Sequence, residues 1–361
     1  MVKRAEAPKL DSAKAARVYK DFPGYERSTF INFTKAGGQP DDYPGLDFGP
    51  VLKTLPFRKI ADFHVSREKR GDRGMIPCAM CGPREKFLEG SLVWMESRQA
   101  IALIGHCCAD KENQRRADEE YLERMELTRA EDFLLAWLPF TKMALAAIDQ
   151  TLAAAVEAER VKAAFSRKFP AAVQALRAVS KSGGMLGHTE KIGDQFDEVG
   201  PRGLGRLNTR TVTIGHLFGA GALGSGFHPV KDLRVARSRI EALLCEESSE
   251  AALELITSSY ASADELKKAA KLLLAAGKEY KHSLRLLQEF RAFFSEYNFA
   301  NVNDWAGHPL SDHRFSFEYR RQGDGVRISG KEGEAFDTLY LEGNALSSPP
   351  LWPVASTMDD E

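Results

Sequence analysis

A chain of 361 residues, 43% hydrophobic and 28% charged, has the composition of an ordinary globular protein and apolar material for two or three domains. No apolar run reaches the ~20 residues that a bilayer span needs, and the opening "MVKRAEAPKLDSAKAARVYKDF" lacks the apolar centre of a secretory signal. Membrane insertion is therefore not expected, and the expected compartment is the reducing cytoplasm, where a disulfide framework is out of place.

Residues 1–58 read as an irregular N-terminal arm, because "DFPGYE" and "KAGGQPDDYPGLDFGP" interrupt any long periodicity; one short helix is expected at 10–20. A compact module follows over 59–127. It opens with a strand, "KIADFHV", and a charged turn, "SREKRGDRG". "FLEGSLVWM" and "AIALIGHC", separated by "ESRQ", then read as a β-hairpin. The polar run after Cys108 is helical. Thr128 and Glu131 have capping-box spacing and predict a new helix, opening a helical segment over 128–182 in which Pro139 should break the chain's course.

Residues 183–232 form a glycine-rich connector with one strand, "RTVTIGHLF". Residues 233–298 read as a helical hairpin. Ser262 and Glu265 form a second capping box there, and Leu266, Ala270, Leu273, Tyr280, Leu284, Leu287, Phe290, Phe294 and Tyr297 recur at helical spacing as a stripe that faces the core or a partner, the core being the favoured reading. Over 299–345, alternation in "RFSFEYRR" and a turn at Asp324-Gly325 predict a β-hairpin, and 346–361 reads as a tail. Cys245, in "IEALLCEE", reads as a small buried hydrophobe on a helix face.

Four of the five cysteines fall within residues 76–111. The order is Cys78-x-x-Cys81, a hairpin, His106-Cys107-Cys108, then a helix. A Cys-x-x-Cys turn can put two thiolates on one metal edge at about 2.3 Å each, and the hairpin returns the chain with a second pair. Four N/S ligands close a tetrahedral site of the structural type, for which Zn2+ is the expected ion. If residues 106–108 are extended, His106 and Cys108 share a face and complete the site. If the helix begins earlier, Cys107 can replace either, and His64 is a more distant substitute.

Through Cys78, Cys81 and Gly82, then Ile104, Gly105, Cys108, Ala109 and Lys111, this segment resembles treble-clef or zinc-ribbon modules, including the short ones common in phage and mobile-element proteins. The resemblance spans 36 residues, about a tenth of the chain. It implies zinc binding and the company of nucleic acid. "PCAMC" also resembles the P-C-x-x-C half of zinc-dependent nucleobase deaminases. Those need an upstream H-x-E whose glutamate moves the proton, and here His64 is followed by Val65 and Ser66. No catalytic residue is assigned.

Gly219, Gly221 and Gly224 fit G-x-G-x-x-G, but no helix is evident before about 233, so a loop is expected rather than a dinucleotide site. His308, Asp312 and His313 form a short polar cluster. Charge is segregated. Residues 160–239 hold fourteen Lys or Arg against five Asp or Glu, a net of +9, so that the remainder carries −10. Arg160, Lys162, Arg167, Lys168, Arg177 and Lys181 lie in a stretch without an acid and are the expected phosphate contacts. Arg67, Lys69, Arg70, Arg73, Arg84 and Lys86 flank the cysteine knuckle.

The expected fold is α+β and predominantly helical, with a small treble-clef zinc module, a helical body and a C-terminal β-hairpin. The expected function is a zinc-containing accessory protein that binds DNA or RNA, of phage or mobile-element type. The alternative is a helical scaffold that binds protein or itself, with zinc as a staple.

Overall fold

A computed structural model describes residues 16–106, 108–196, 207–260 and 262–353. It is helix-dominated α+β and divides into two compact units, Met1–Thr128 and Arg129–Glu361.

The first unit contains α1 (Glu26–Lys35), β1 (Arg58–His64), the short α2 (Arg67–Arg70), β2 (Ile76–Cys78), β3 (Gly82–Phe87), β4 (Glu89–Met95), β5 (Ala100–Gly105) and most of α3 (Lys111–Trp137). β1, β4 and β5 form an antiparallel sheet in that order, and β2 pairs with β3. Both faces of β4 and β5 are buried, so period-2 alternation sorts their side chains into two cores. Leu92, Trp94, Ile101 and Leu103 join Phe30, Tyr43 and Phe63 on one side. Val93, Met95, Ala102 and Ile104 join Cys78, Met80, Cys108 and Ala117 on the other. The hairpin expected between "FLEGSLVWM" and "AIALIGHC" is present, its return made by Gln99 in the left-handed region at φ 49°.

The N-terminal helix lies at Glu26–Lys35. Of the 10–20 stretch expected to be helical, residues 10–15 fall outside the described residues, and 16–20 are not helical. No helix begins at Thr128 either, because α3 runs through it. A T-x-x-E spacing marks a start only where something interrupts the helix before it. The run from Lys111 is rich in Glu, Arg, Ala and Leu and has no breaker.

In the second unit Pro139 does break the course. α3 ends at Trp137, a 3-10 turn spans Leu138–Phe140, and α4 (Thr141–Lys168) begins. Then follow α5 (Pro170–Lys181), β6 (Met185–Phe196), β7 (Leu207–His216), α6 (Pro229–Glu241), α7 (Ser249–Ser259), α8 (Ala263–Phe293), α9 (Glu296–Ala306), β8 (Phe315–Gln322), β9 (Gly325–Glu332), β10 (Ala335–Leu341) and α10 (Gly343–Leu346). Phe165, fully buried, is ringed by Phe169, Phe293, Phe294, Phe299 and Phe317 at centroid distances of 5.4–6.1 Å. The Ser262–Glu265 capping box is formed, and the stripe it introduces is buried within this unit from Leu266 to Phe294 except for the half-buried Leu284, whereas Tyr297 falls on α9 and is exposed.

The glycine-rich connector carries more structure than its sequence suggests. "RTVTIGHLF" supplies β7, but its partner β6 is a second strand. α6 starts at Pro229, since proline at the first helical position loses no hydrogen bond. Gly219, Gly221 and Gly224 belong to a 3-10 turn docked on α8. A Cβ on Gly219 would lie 2.0 Å from the Glu289 carbonyl oxygen, and its φ is +64°. The first glycine thus serves close backbone approach.

At the C-terminus the hairpin gains a third strand, in the order β10-β9-β8. Its first turn is Gly323-Asp324, one residue earlier than the expected Asp324-Gly325, because Gln322 pairs with Gly325 and Gly323 takes φ +63°. Pro350 and Trp352 lie against α8, where the Tyr280 hydroxyl donates to the Pro350 carbonyl at 2.6 Å. Cys245 is buried, but between α6 and α7 and not on a helix face.

Candidate metal centre

Cys78 ends β2, and the chain turns at once, the Cys81 amide donating to the Cys78 carbonyl at 3.3 Å. This knuckle is fixed from both sides. The Ala79 amide donates to Leu103 of β5 at 3.0 Å, and the Ala79 carbonyl accepts from Val51 at 2.9 Å. Cys108 follows β5 in a second turn, closed by its own amide donating to the Gly105 carbonyl at 3.1 Å. A Cβ on Gly105 would stand 3.2 Å from the Cys108 sulfur, so the small residue leaves room for the thiol. Asp110 then caps α3, its carboxylate accepting from the amides of Glu112 and Asn113 at 3.1 and 3.5 Å. Its own amide donates to the Lys53 carbonyl at 3.2 Å.

These ties bring the sulfurs of Cys78, Cys81 and Cys108 within 4.8 Å of one another, and none of the three is in a disulfide. Cys78 and Cys108 are buried and Cys81 is half-buried. Burial pushes the Cys108 thiol well above its ordinary range, and contacts to Cys81 and Cys78 push the same way. Burial also raises Cys81, against an opposing hydrogen bond from Cys108. Three thiols gathered in a low-dielectric pocket deprotonate together only with a cation among them. The donor set thus fits a metal ion.

His106 does not join this group. It is exposed, and its Nε2 lies 3.6 Å from Glu89. Residues 106 and 108 sit in a turn, so the extended-chain rule that paired them has no purchase here. Cys107 lies outside the described residues. His64 is exposed on β1, 4.0 Å from Glu89.

Of the expected phosphate contacts, four are engaged within the second unit. Arg160 makes two 2.6 Å bonds to Glu157. Lys162 donates to Gly224 O at 2.6 Å and sits over the Phe227 ring. Lys168 pairs with Asp337 at 2.7 Å, and Arg177 donates to Leu223 O at 2.9 Å. Arg167 and Lys181 are exposed. Arg177 and Lys181 line a surface depression of about 450 Å³ with Ser166 and Gln174. Near the knuckle, Arg70 is buried against Asp41 and Arg73 pairs with Asp42, whereas Arg67 and Lys69 are exposed; the side chains of Arg84 and Lys86 lie outside the described set.

One constellation escaped the sequence. His188 of β6 stacks on His308 at 5.1 Å and on Trp305 at 5.9 Å, and Trp305 meets His313 at 4.2 Å. His188 lies in the glycine-rich segment, over a hundred residues from its partners, and no local spacing signals it.

No family model, curated protein or solved structure matches this chain. Among the described residues no helix is long and apolar enough to cross a membrane.

Proposed function

We propose that Cys78, Cys81 and Cys108 hold a structural Zn2+ in a treble-clef-like module, and that the protein is an accessory factor binding DNA or RNA through basic residues of the second unit. The convergence of the three thiols carries the first part. Zinc is the ion suited to a thiolate-rich, tetrahedral site with no redox role. Bound there, it would cross-link the knuckle to the turn after β5, and it would complete its shell with a fourth donor.

The second part is supported by the surplus of positive charge in residues 160–239, by the exposed Arg177 and Lys181 that line a depression without a described carboxylate, and by the exposed Arg167. The resemblance of the module to those of phage and mobile-element proteins points the same way. A salt-titrated binding assay against single- and double-stranded DNA and RNA tests it. Affinity should fall steeply with salt. Replacing Arg167, Arg177 and Lys181 by Gln should reduce the slope by about 0.7–0.9 for each phosphate that is no longer neutralised. Affinity that ignores both salt and these substitutions would refute it.

A scaffold role is the second reading, because Arg160, Lys162, Lys168 and Arg177 direct donors into their own fold. It requires a stable oligomer or a stoichiometric protein partner on sizing with light scattering.

A further inference from the structure

A cleft of about 620 Å³ opens where α9 ends and the β8–β9 ladder begins, and nothing in the proposed function uses it. The ladder sets its chemistry. Lys331 of β9 pairs in register with Ser316 of β8, and the Gly333 amide donates to the Arg314 carbonyl at 2.7 Å. Arg314, Ser316 and Lys331 are therefore brought to one rim, all exposed. Neither cation has a carboxylate partner among the described residues. Arg314 donates only to the backbone carbonyls of Ser311 and His313, at 3.4 and 3.2 Å.

The opposite rim is His308 and His313. His308 Nδ1 accepts from the Leu310 amide at 3.2 Å, which leaves the proton of the neutral ring on Nε2 as a donor. His313 is held between Trp305 and Phe315. The ring column behind the rim is pinned by reciprocal bonds between α9 and β6: His188 Nε2 donates to Trp305 O at 2.8 Å, and Trp305 Nε1 donates to Gly187 O at 3.2 Å. No described carboxylate lines the cleft. Asp312, adjacent to His313, is exposed and outside its wall.

We infer that this cleft is a binding site for a phosphate group, with Arg314 and Lys331 as its counter-charges and His308 Nε2 as a neutral donor. Two exposed cations, an imidazole donor and a serine hydroxyl suit a tetrahedral dianion. The partial negative charge at the C-terminus of α9 opposes binding, but the two full charges outweigh it. Burial, and then His188, lower the His313 pKa, whereas Asp312 raises it. The titratable and charged groups around His313 are His188 from β6, His308 after α9, its neighbours Asp312 and Arg314, and Lys331 from β9. A bound dianion adds a charge that favours protonation of His313. A phosphate ester itself takes up its second proton at about pH 6, so affinities are compared at a single pH above about 7, where the ligand is a dianion. This inference stands apart from the nucleic-acid reading, since neither Arg314 nor Lys331 is among the residues tested there.

The ligand's source is either a small phosphate ester or the terminal phosphate of a nucleic acid. Calorimetric titration of the full-length protein at low salt distinguishes them, using inorganic phosphate, adenosine monophosphate, and one oligonucleotide with either a 5′-phosphate or a 5′-hydroxyl. Inorganic phosphate should bind in the millimolar range. Arg314→Gln and Lys331→Gln, both at exposed positions, should each weaken it about tenfold, as for loss of one charged hydrogen bond. Stronger binding of the monophosphate marks a small ester as the ligand. Binding of the 5′-phosphorylated strand but not the 5′-hydroxyl strand marks a nucleic-acid end. Absence of heat with phosphate, or equal affinity in the folded double variant, would overturn the inference.

Discussion

Around Cys78 the first unit builds its second core from Val93, Met95, Ala102, Ile104 and Ala117, with three thiols among them. Around Phe165 the second unit builds its core from five more phenylalanines, fed by helices of 28 and 31 residues. The contrast is one of sufficiency. A buried phenylalanine contributes about 1.5–3 kcal/mol of transfer free energy, and a ring cluster repeats that gain. Short strands with alanine and cysteine facing one another bury less per residue, and on this face of the sheet the proposed ion would add a cross-link.

The difference can be broken most severely at Cys78. Cys78→Ser removes one of three converging sulfurs. Loss of a metal ligand belongs to the class of changes that exceed about 4 kcal/mol. The first unit should lose its fold while the helical transition of the second persists, giving one melt by circular dichroism where the parent gives two. Phe165→Ala inverts the experiment. It should lower the stability of the second unit by about 3–5 kcal/mol, because the ring of aromatics cannot close on the cavity, with metal content unchanged.

Gly219→Ala is smaller in atoms yet not benign. Its Cβ would press on the Glu289 carbonyl from a positive φ, so a loss of about 1–3 kcal/mol is expected in the second unit alone, measured by denaturant titration.

Acid sharpens the comparison most gently. Burial raises the Glu157 pKa, but hydrogen bonds from Arg160 and the Glu342 amide outweigh it, and the net shift is downward. Its contribution is complete above the unfolded value of about 4.3 and is lost as pH falls through the lower folded value. Protons would compete with the proposed metal for sulfur at higher pH. On a pH titration followed by near-UV dichroism, the first unit should unfold before the second.

What could be read in advance follows the range of the interactions. The grouping of Cys78, Cys81 and Cys108 was legible because Cys78-x-x-Cys81 and Cys108 each sit in a local turn and the hairpin between them is a period-2 pattern, whereas the pairing of His106 with Cys108 assumed an extended chain that is not there. The Ser262 capping box and the break at Pro139 were legible for the same reason. The false start at Thr128 shows a local motif overridden by the helix around it. β6 and the His188 stack were not legible, because their partners lie far along the chain and strand pairing is written in tertiary context. α6 begins four residues before the expected 233, at Pro229, because proline is accommodated at a first helical turn.

Metal content measured on the purified full-length protein, with and without prolonged chelation, tests the cysteine module most directly. A clamped module should carry one zinc per chain, and stripping it should abolish the melt of the first unit and leave that of the second. Protein that purifies without metal and keeps both transitions in chelator would contradict the zinc assignment outright.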